Sequence, residues 1–379
     1  MKYVDEYRDG KLARAIAAKI AAEARQDRAY RFMEFCGGHT HAIARYGLED
    51  LLPHNVRMIH GPGCPVCVLP MGRMDDAIKL AQNPDITLCT YADLMRVPGS
   101  GDLSLIKAKA AGADVRMVYS TLDALRIARE EPHRKVVFFA IGFETTTPPT
   151  AMAILAARKE GLKNFFVFCN HVLTPAAIEA IVGGESQEKV ALDGFVGPAH
   201  VSTVIGTKPY HAFAENYRKP VVIAGFEPLD VMQAILMLAR QINEGRHVVE
   251  NQYIRAVTVD GNLKAKAFVA EVFETRETFE WRGLGFIPDS ALRLREEFSE
   301  FDAEKIFGVE TVAAKDNPAC ECGAILRGVK KPVDCKLFGT VCTPETPMGS
   351  CMVSSEGSCA AHWTYGRFRD AQPLERQAS

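Results

Sequence analysis

The sequence holds no apolar run approaching the roughly 18 residues of a membrane-crossing helix; its longest lies at about Val136 to Phe143. Its opening stretch, Met1 to Arg28, is charged throughout and shows no apolar core ahead of a cleavage site. A secretory leader is therefore not expected, and the cytoplasm is the expected compartment. Charge of one sign is also missing, since 45 Lys+Arg against 47 Asp+Glu leave a net charge of −2. That balance argues against nucleic acid or an anionic membrane as the main partner. With 47% hydrophobic and 24% charged residues, the composition is not that of a disordered, collagenous or coiled-coil chain. Cysteine is sparse over most of the 379 residues and dense in one place: six of the 11 (Cys320, Cys322, Cys335, Cys342, Cys351 and Cys359) fall in one short tail segment. Clustered thiols in a reducing compartment more often bind metal or do redox work than staple a fold.

Lys11 to Arg25 reads as an amphipathic helix with Leu12, Ile16, Ala17 and Ile20 on one face. Eight short apolar runs follow, at 30–35, 56–60, 86–91, 114–119, 136–141, 165–169, 192–196 and 221–224. Helical patterns lie between them, near 72–82, 104–111, 121–130, 148–160, 175–182 and 228–243. Strands alternating with helices of this length imply α/β architecture, with doubly wound parallel sheets covered on both faces. Two similar doubly wound domains are expected over 30–130 and 131–245. A third, mixed and Cys-rich iron-sulfur domain is expected from 246–379 together with 1–29. A weak internal echo supports related units: Ala140-Ile141-Gly142-Phe143-Glu144 and Ala224-Gly225-Phe226-Glu227 each lead into an apolar helix.

Three groups of residues can carry chemistry. Cys36-Gly37-Gly38-His39-Thr40-His41 follows a strand and opens a helix. A thiol there sees unpaired backbone N–H groups and the positive end of the helix dipole, which favours its thiolate. Cys36 is thus a candidate ligand or nucleophile, and His39 and His41 add donors or further ligands. Gly61-Pro62-Gly63-Cys64-Pro65-Val66-Cys67 follows the next strand. Its two thiols suit either one metal ion or a disulfide ring, and the spacing leaves metal binding and thioredoxin-like exchange both open.

In open parallel sheets the loops after the strands converge on one crevice. Cys36, Cys64, Gly142–Thr147, His171 and Gly225–Glu227 can therefore face the same place. Asn170-His171 and Pro198-Ala199-His200 are further polar clusters at strand ends. Glu144 is an acid/base candidate weaker than the thiols. In the tail no CxxC knuckle occurs; Cys320, Cys335, Cys342 and Cys359 offer four thiolates from separated loops, as a cubane cluster can use, and structural zinc is the competing use. Cys322 and Cys351 remain as spare thiols for a disulfide or a redox relay. Cys89 and Cys169, inside apolar strands, read as packing residues.

Cys36-Gly-Gly-His-Thr-His-Ala-Ile43, Gly61-Pro-Gly-Cys-Pro-Val-Cys67, Gly142-Phe-Glu-Thr-Thr-Thr-Pro148 and the tail from Cys342 to Cys359 together resemble the HypD family of hydrogenase maturation factors. The resemblance covers essentially the whole chain in order. It implies three α/β domains and a 4Fe-4S cluster in the last, on four tail thiols for which the spacing selects Cys320, Cys335, Cys342 and Cys359. It implies iron held on Cys36, Cys64 and Cys67 during assembly of the Fe(CN)2CO unit of nickel-iron hydrogenases, by a redox scaffold rather than a metabolic enzyme. It also implies partners: a HypC-type small chaperone, a HypE-type cyanide donor and, indirectly, the hydrogenase large subunit. The rival reading is a CxxC dithiol-disulfide oxidoreductase coupled to an iron-sulfur cluster.

Overall fold

The structure, a computed structural model, describes residues 5–183, 190–312 and 314–367. The expected third domain therefore loses 1–4, 313 and 368–379, which lie outside the described residues. Nine strands build two sheets. They are β1 (Tyr30–Glu34), β2 (Val56–His60), β3 (Ile86–Thr90), β4 (Val115–Met117), β5 (Lys135–Gly142), β6 (Phe165–His171), β7 (Gly194–Pro198), β8 (Val221–Ala224) and β9 (Val249–Asn251). The helices used below are α1 (Gly10–Glu23), α2 (Gly37–Tyr46), α3 (Pro65–Val68) and α4 (Met71–Gln82), then α5 (Leu105–Ala110), α6 (Thr121–Glu130), α7 (Thr147–Glu160) and α8 (Thr174–Gly183), and finally α9 (Ala199–Ile205), α10 (Pro209–Tyr217) and α11 (Pro228–Asn243).

Local chemistry accounts for these elements. Val136 to Ile141 in β5 are buried, the run of apolar residues expected of a central parallel strand covered on both faces, and all seven residues of the neighbouring edge strand β6 are buried as well. Their register runs from Val136 opposite Phe165 to Gly142 opposite His171. Ser120 and Asp123 close a capping box at the start of α6, and Glu227 and Asp230 do so at α11, which also has Pro228 in its first turn.

One sheet has the order β2-β1-β7-β8-β9 and the other β4-β3-β5-β6, and both are parallel. Counted along the chain within each sheet, both follow the same winding: second strand, first, third, fourth. The two bodies are thus alike, as expected, but their division is not at 130/131. Strands β1 and β2 pair with β7 and β8, and the whole second sheet is threaded between β2 and β7. Alternation of strand and helix does not encode which strands become neighbours, so linear boundaries could not show this. The Gly-Phe-Glu echo joins β5, third in its sheet, to β8, fourth in its own, and so does not mark equivalent strands.

The N-terminal helix also sits elsewhere than expected. Ala17 and Ile20 of α1 share a core with Val231, Ile235 and Leu238 of α11, and Glu23 pairs with Arg240 at 2.9 Å. It belongs to the first body, and its Leu12 faces solvent. Beyond 262 the chain forms two antiparallel ribbons, Phe273–Thr275 with Leu292–Leu294 and Thr278–Trp281 with Gly285–Pro288. The Cys-rich tail contributes short helices, Cys322–Leu326 and Ser358–Tyr365. Its buried residues, Cys322, Ile325, Leu326, Cys351, Met352 and Cys359, join the same apolar cluster as Cys64, Val66, Cys67 and Val68. The tail is therefore packed onto the α3 loop rather than around a core of its own.

Candidate functional site

Where β1 and β7 lie side by side, the chain leaves β1 toward β2 and leaves β7 toward β8, on opposite sides. Such a reversal opens a crevice beyond the strand ends. Cys36 follows β1 and His200 follows β7, so both stand at this crevice. The Cys36 Sγ is 3.4 Å from His200 Nδ1. Cys36 caps α2, with backbone in the extended region and its sulfur accepting from Gly38 N at 3.3 Å.

That capping contact favours a thiolate as expected, but the whole environment reverses the balance. Burial first, then the carboxylates of Glu356 and Glu34, push the Cys36 thiol well above its ordinary range. His200 is pushed down to about 4 by burial and by His39 nearby, so the contact is a neutral thiol against a neutral imidazole. Glu34 is fully buried. Its Oε2 accepts from Cys36 N at 2.7 Å, and its Oε1 accepts from His60 Nδ1 at 2.8 Å and from the Thr40 hydroxyl.

The CxxC loop meets this point backbone to backbone. Gly37 N donates to Gly63 O at 3.1 Å. A Cβ on Gly63 would fall 2.2 Å from Cys36 N, so only glycine permits the approach. Cys64 caps α3, accepting from Cys67 N at 3.2 Å, and the two cysteines are joined as a disulfide. Cys36 is thus the free thiol of the three. As the side chains stand, no group of three His, Cys, Asp or Glu among the described residues could hold a metal ion.

The histidines of the Cys36 motif are directed elsewhere. His39 Nε2 lies 3.1 and 3.0 Å from the carbonyls of Ala224 and Gly225, and its buried Nδ1 has no partner. His41 Nδ1 is 3.4 Å from Ser355 O, and its ring stands edge-on to Tyr365 at 5.2 Å. Both rings tie α2 to its surroundings, β8 in one case and the tail in the other. Glu144 sits at the second sheet, where burial pushes its carboxyl up to about 7 although Thr174 N and its hydroxyl both donate to it at 2.8 Å. His171 is held by Thr150 at 3.0 Å. Cys89 and Cys169 are buried in strands.

The tail reaches the crevice twice. Ser350 Oγ donates to Cys67 O at 3.0 Å, and Cys67 Sγ lies 3.9 Å from Ser350 O. Glu356 packs so close to α2 that a Cβ on Gly37 would fall 2.3 Å from its own Cβ. Behind Ser350 the thiols crowd one another. Hydrogen bonds to Cys322 first, then burial, raise the pKa values of Cys320 and Cys359, and for Cys359 the nearness of Cys351 and Cys342 adds to this. Cys335 lies instead against Glu321, whose carboxylate pairs with Lys330. Sequence reasoning missed Glu34 and Glu356 and left His200 as one polar cluster among several. The sequence signal for Glu34 was a carboxylate at the end of a largely apolar strand, two residues before the motif cysteine.

The family model HypD, described as "Hydrogenase formation hypA family", matches residues 11–366. The chain belongs to the HypD family. It is 73% identical to the hydrogenase maturation factor HypD of Rhizobium leguminosarum bv. viciae over 98% of this chain and 97% of that protein. It is 66% identical to that of Cupriavidus necator, over 98% of both chains. It is 46% identical to that of Escherichia coli, over 96% of this chain and 98% of that protein. All 11 cysteines lie within the residues that match HypD. Among the described residues no helix is long and apolar enough to cross a membrane.

Proposed function

We propose that this chain serves hydrogenase maturation as a redox scaffold on which the Fe(CN)2CO unit is assembled, with iron as its cargo. The observation that carries this reading is the meeting of three thiol-bearing segments, in which the Cys36 loop touches Gly63 and the CxxC carbonyl of Cys67 is held by Ser350 of the tail. Cys36, Cys64 and Cys67 are the proposed iron ligands; soft thiolates suit iron that carries strong-field ligands such as cyanide and carbon monoxide. To bind, the Cys64–Cys67 bond must open, taking two electrons and two protons to give two thiols. These thiols release protons when they ligate iron. His39, His41 and Glu144 are proposed to orient or buffer this step rather than to hold metal.

The tail suits a 4Fe-4S cluster by its donor set. Cys320, Cys335, Cys342 and Cys359 are the proposed ligands. Gly349 leaves a cradle at two of the tail thiols, because a Cβ there would fall 2.4 Å from Cys320 Sγ and 2.6 Å from Cys322 Sγ. A cluster bound there supplies single electrons. Cys322 and Cys351, the latter next in chain to Ser350, are the proposed thiols between the tail and the Cys64–Cys67 bond. The burial of Cys64 and Cys67, 3% and 0% exposed, favours this internal role over a general dithiol reductant, which must present a sulfur to other proteins. The proposed partners are a HypC-type chaperone sharing the iron and a HypE-type cyanide donor, with the hydrogenase large subunit as eventual recipient, in the cytoplasm.

The test is vibrational. Protein purified anaerobically after co-expression with these partners should show infrared bands of iron-bound CN and CO. A Cys36→Ala variant should lose them; bands that persist unchanged would remove Cys36 from the site.

A further inference from the structure

Glu34 and His60 end adjacent strands, β1 and β2, and face each other directly in the register of the sheet. Each is followed at once by a thiol loop, Cys36 after one and Gly61 to Cys64 after the other. Glu34 has no exposed surface. A carboxylate taken out of water is costly unless donors surround it, and here three donors converge: Cys36 N, His60 Nδ1 and the Thr40 hydroxyl. The first fixes the peptide that aims the Cys36 sulfur, and the third ties the same carboxylate to the first turn of α2. His60 is the outermost member, its side chain 21% exposed. It lines a cavity of about 640 Å³ between the β2 edge and tail residues Lys330, Lys331 and Ser358.

We propose that Glu34 and His60 act together as positioning residues for Cys36. His60 orients the buried carboxylate, and the carboxylate locks the backbone N–H of Cys36, so that the sulfur keeps its 3.4 Å contact with His200. The pair also couples the aim of Cys36 to β2 and thereby to the start of the CxxC loop. This inference rests on Cys36 being a working thiol of the proposed function.

The test uses the full-length, metal-free protein and two substitutions at one position. His60→Asn keeps an N–H donor where Nδ1 stands, whereas His60→Leu removes it. Glu34→Gln keeps the shape but turns one acceptor into a donor. The rate of iodoacetamide modification at Cys36 is read by mass spectrometry, with buried Cys89 and Cys169 as reporters of general loosening. His60→Leu and Glu34→Gln should speed Cys36 modification by about tenfold, the scale of one lost charged hydrogen bond. Cys89 and Cys169 should not change, and His60→Asn should stay within about twofold of the unaltered chain. Unchanged Cys36 rates, a rise shared by Cys89 and Cys169, or an Asn variant that behaves like the Leu variant would each overturn the proposal. If the Leu variant does not fold, His60→Ala, which also removes the donor and keeps the Glu34 charge, decides. Modification needs no iron, so its outcome is separate from the infrared test of Cys36 as an iron ligand.

Discussion

The hydroxyl of Ser350 donates to the carbonyl of Cys67 at 3.0 Å, across 283 positions of sequence, and holds the tail segment that carries Cys351 against α3. This places the tail thiols and the CxxC thiols in one apolar cluster. The electron path proposed above would run within this one packed cluster.

If Cys322 and Cys351 act between the tail and the CxxC, Cys322→Ser and Cys351→Ser should retain the iron of a cluster, about four per chain. They should lose reductive opening of Cys64–Cys67. Cys320→Ser, Cys335→Ser, Cys342→Ser and Cys359→Ser should lose the iron and its visible absorbance. Iron analysis and free-thiol counting during a reductive titration distinguish the two classes. Equal iron loss at Cys322 would transfer that residue to the ligand set.

Cys36 should be a slow nucleophile in the metal-free protein. Burial and the carboxylates of Glu356 and Glu34 hold its thiol protonated, and His200, pushed down to about 4, brings no compensating charge. At neutral pH its modification by iodoacetamide should be at least about tenfold slower than that of a cysteine in an unstructured peptide. A rate equal to the peptide's would mean that the helix N-terminus outweighs burial.

Glu144 makes stability depend on pH. Its folded pKa, about 7, is raised by burial above the ordinary carboxylate value. Its contribution is therefore fully present below about pH 4.3, the unfolded value, and is lost as pH rises through about 7. The unfolding free energy, and with it the thermal midpoint, should fall between roughly pH 4.3 and 7, by an amount on the order of a few kcal/mol at most. Glu144→Gln should flatten that slope, which melting curves across the range will show.

Gly63→Ala should force the two thiol loops apart. The new methyl would lie 2.2 Å from Cys36 N and 2.4 Å from its Cα, and backbone atoms cannot yield as a flexible side chain can. A loss of about 1–3 kcal/mol in denaturant unfolding is expected, together with loss of the iron-bound CN and CO bands. An Ala variant with unchanged stability would mean that the loops do not meet as described.

The sequence by itself determined the elements and the thiol motifs. The eight apolar runs are strands, and the patterns near 72–82, 121–130 and 228–243 are helices, because periodicity and capping act between near neighbours in the chain. The placement of Cys36 and Cys64 just after strands was likewise legible, and they follow β1 and β2.

Only the tertiary structure decided which strands pair, and so it alone interleaved the two bodies and set His200 rather than His39 or His41 against Cys36. It alone gave Glu34 three donors from three places and seated the tail on α3. The physical reason is that these choices minimise exposed apolar surface and unpaired buried charge over the whole molecule. That quantity is summed across residues hundreds of positions apart and leaves no periodic trace in the chain.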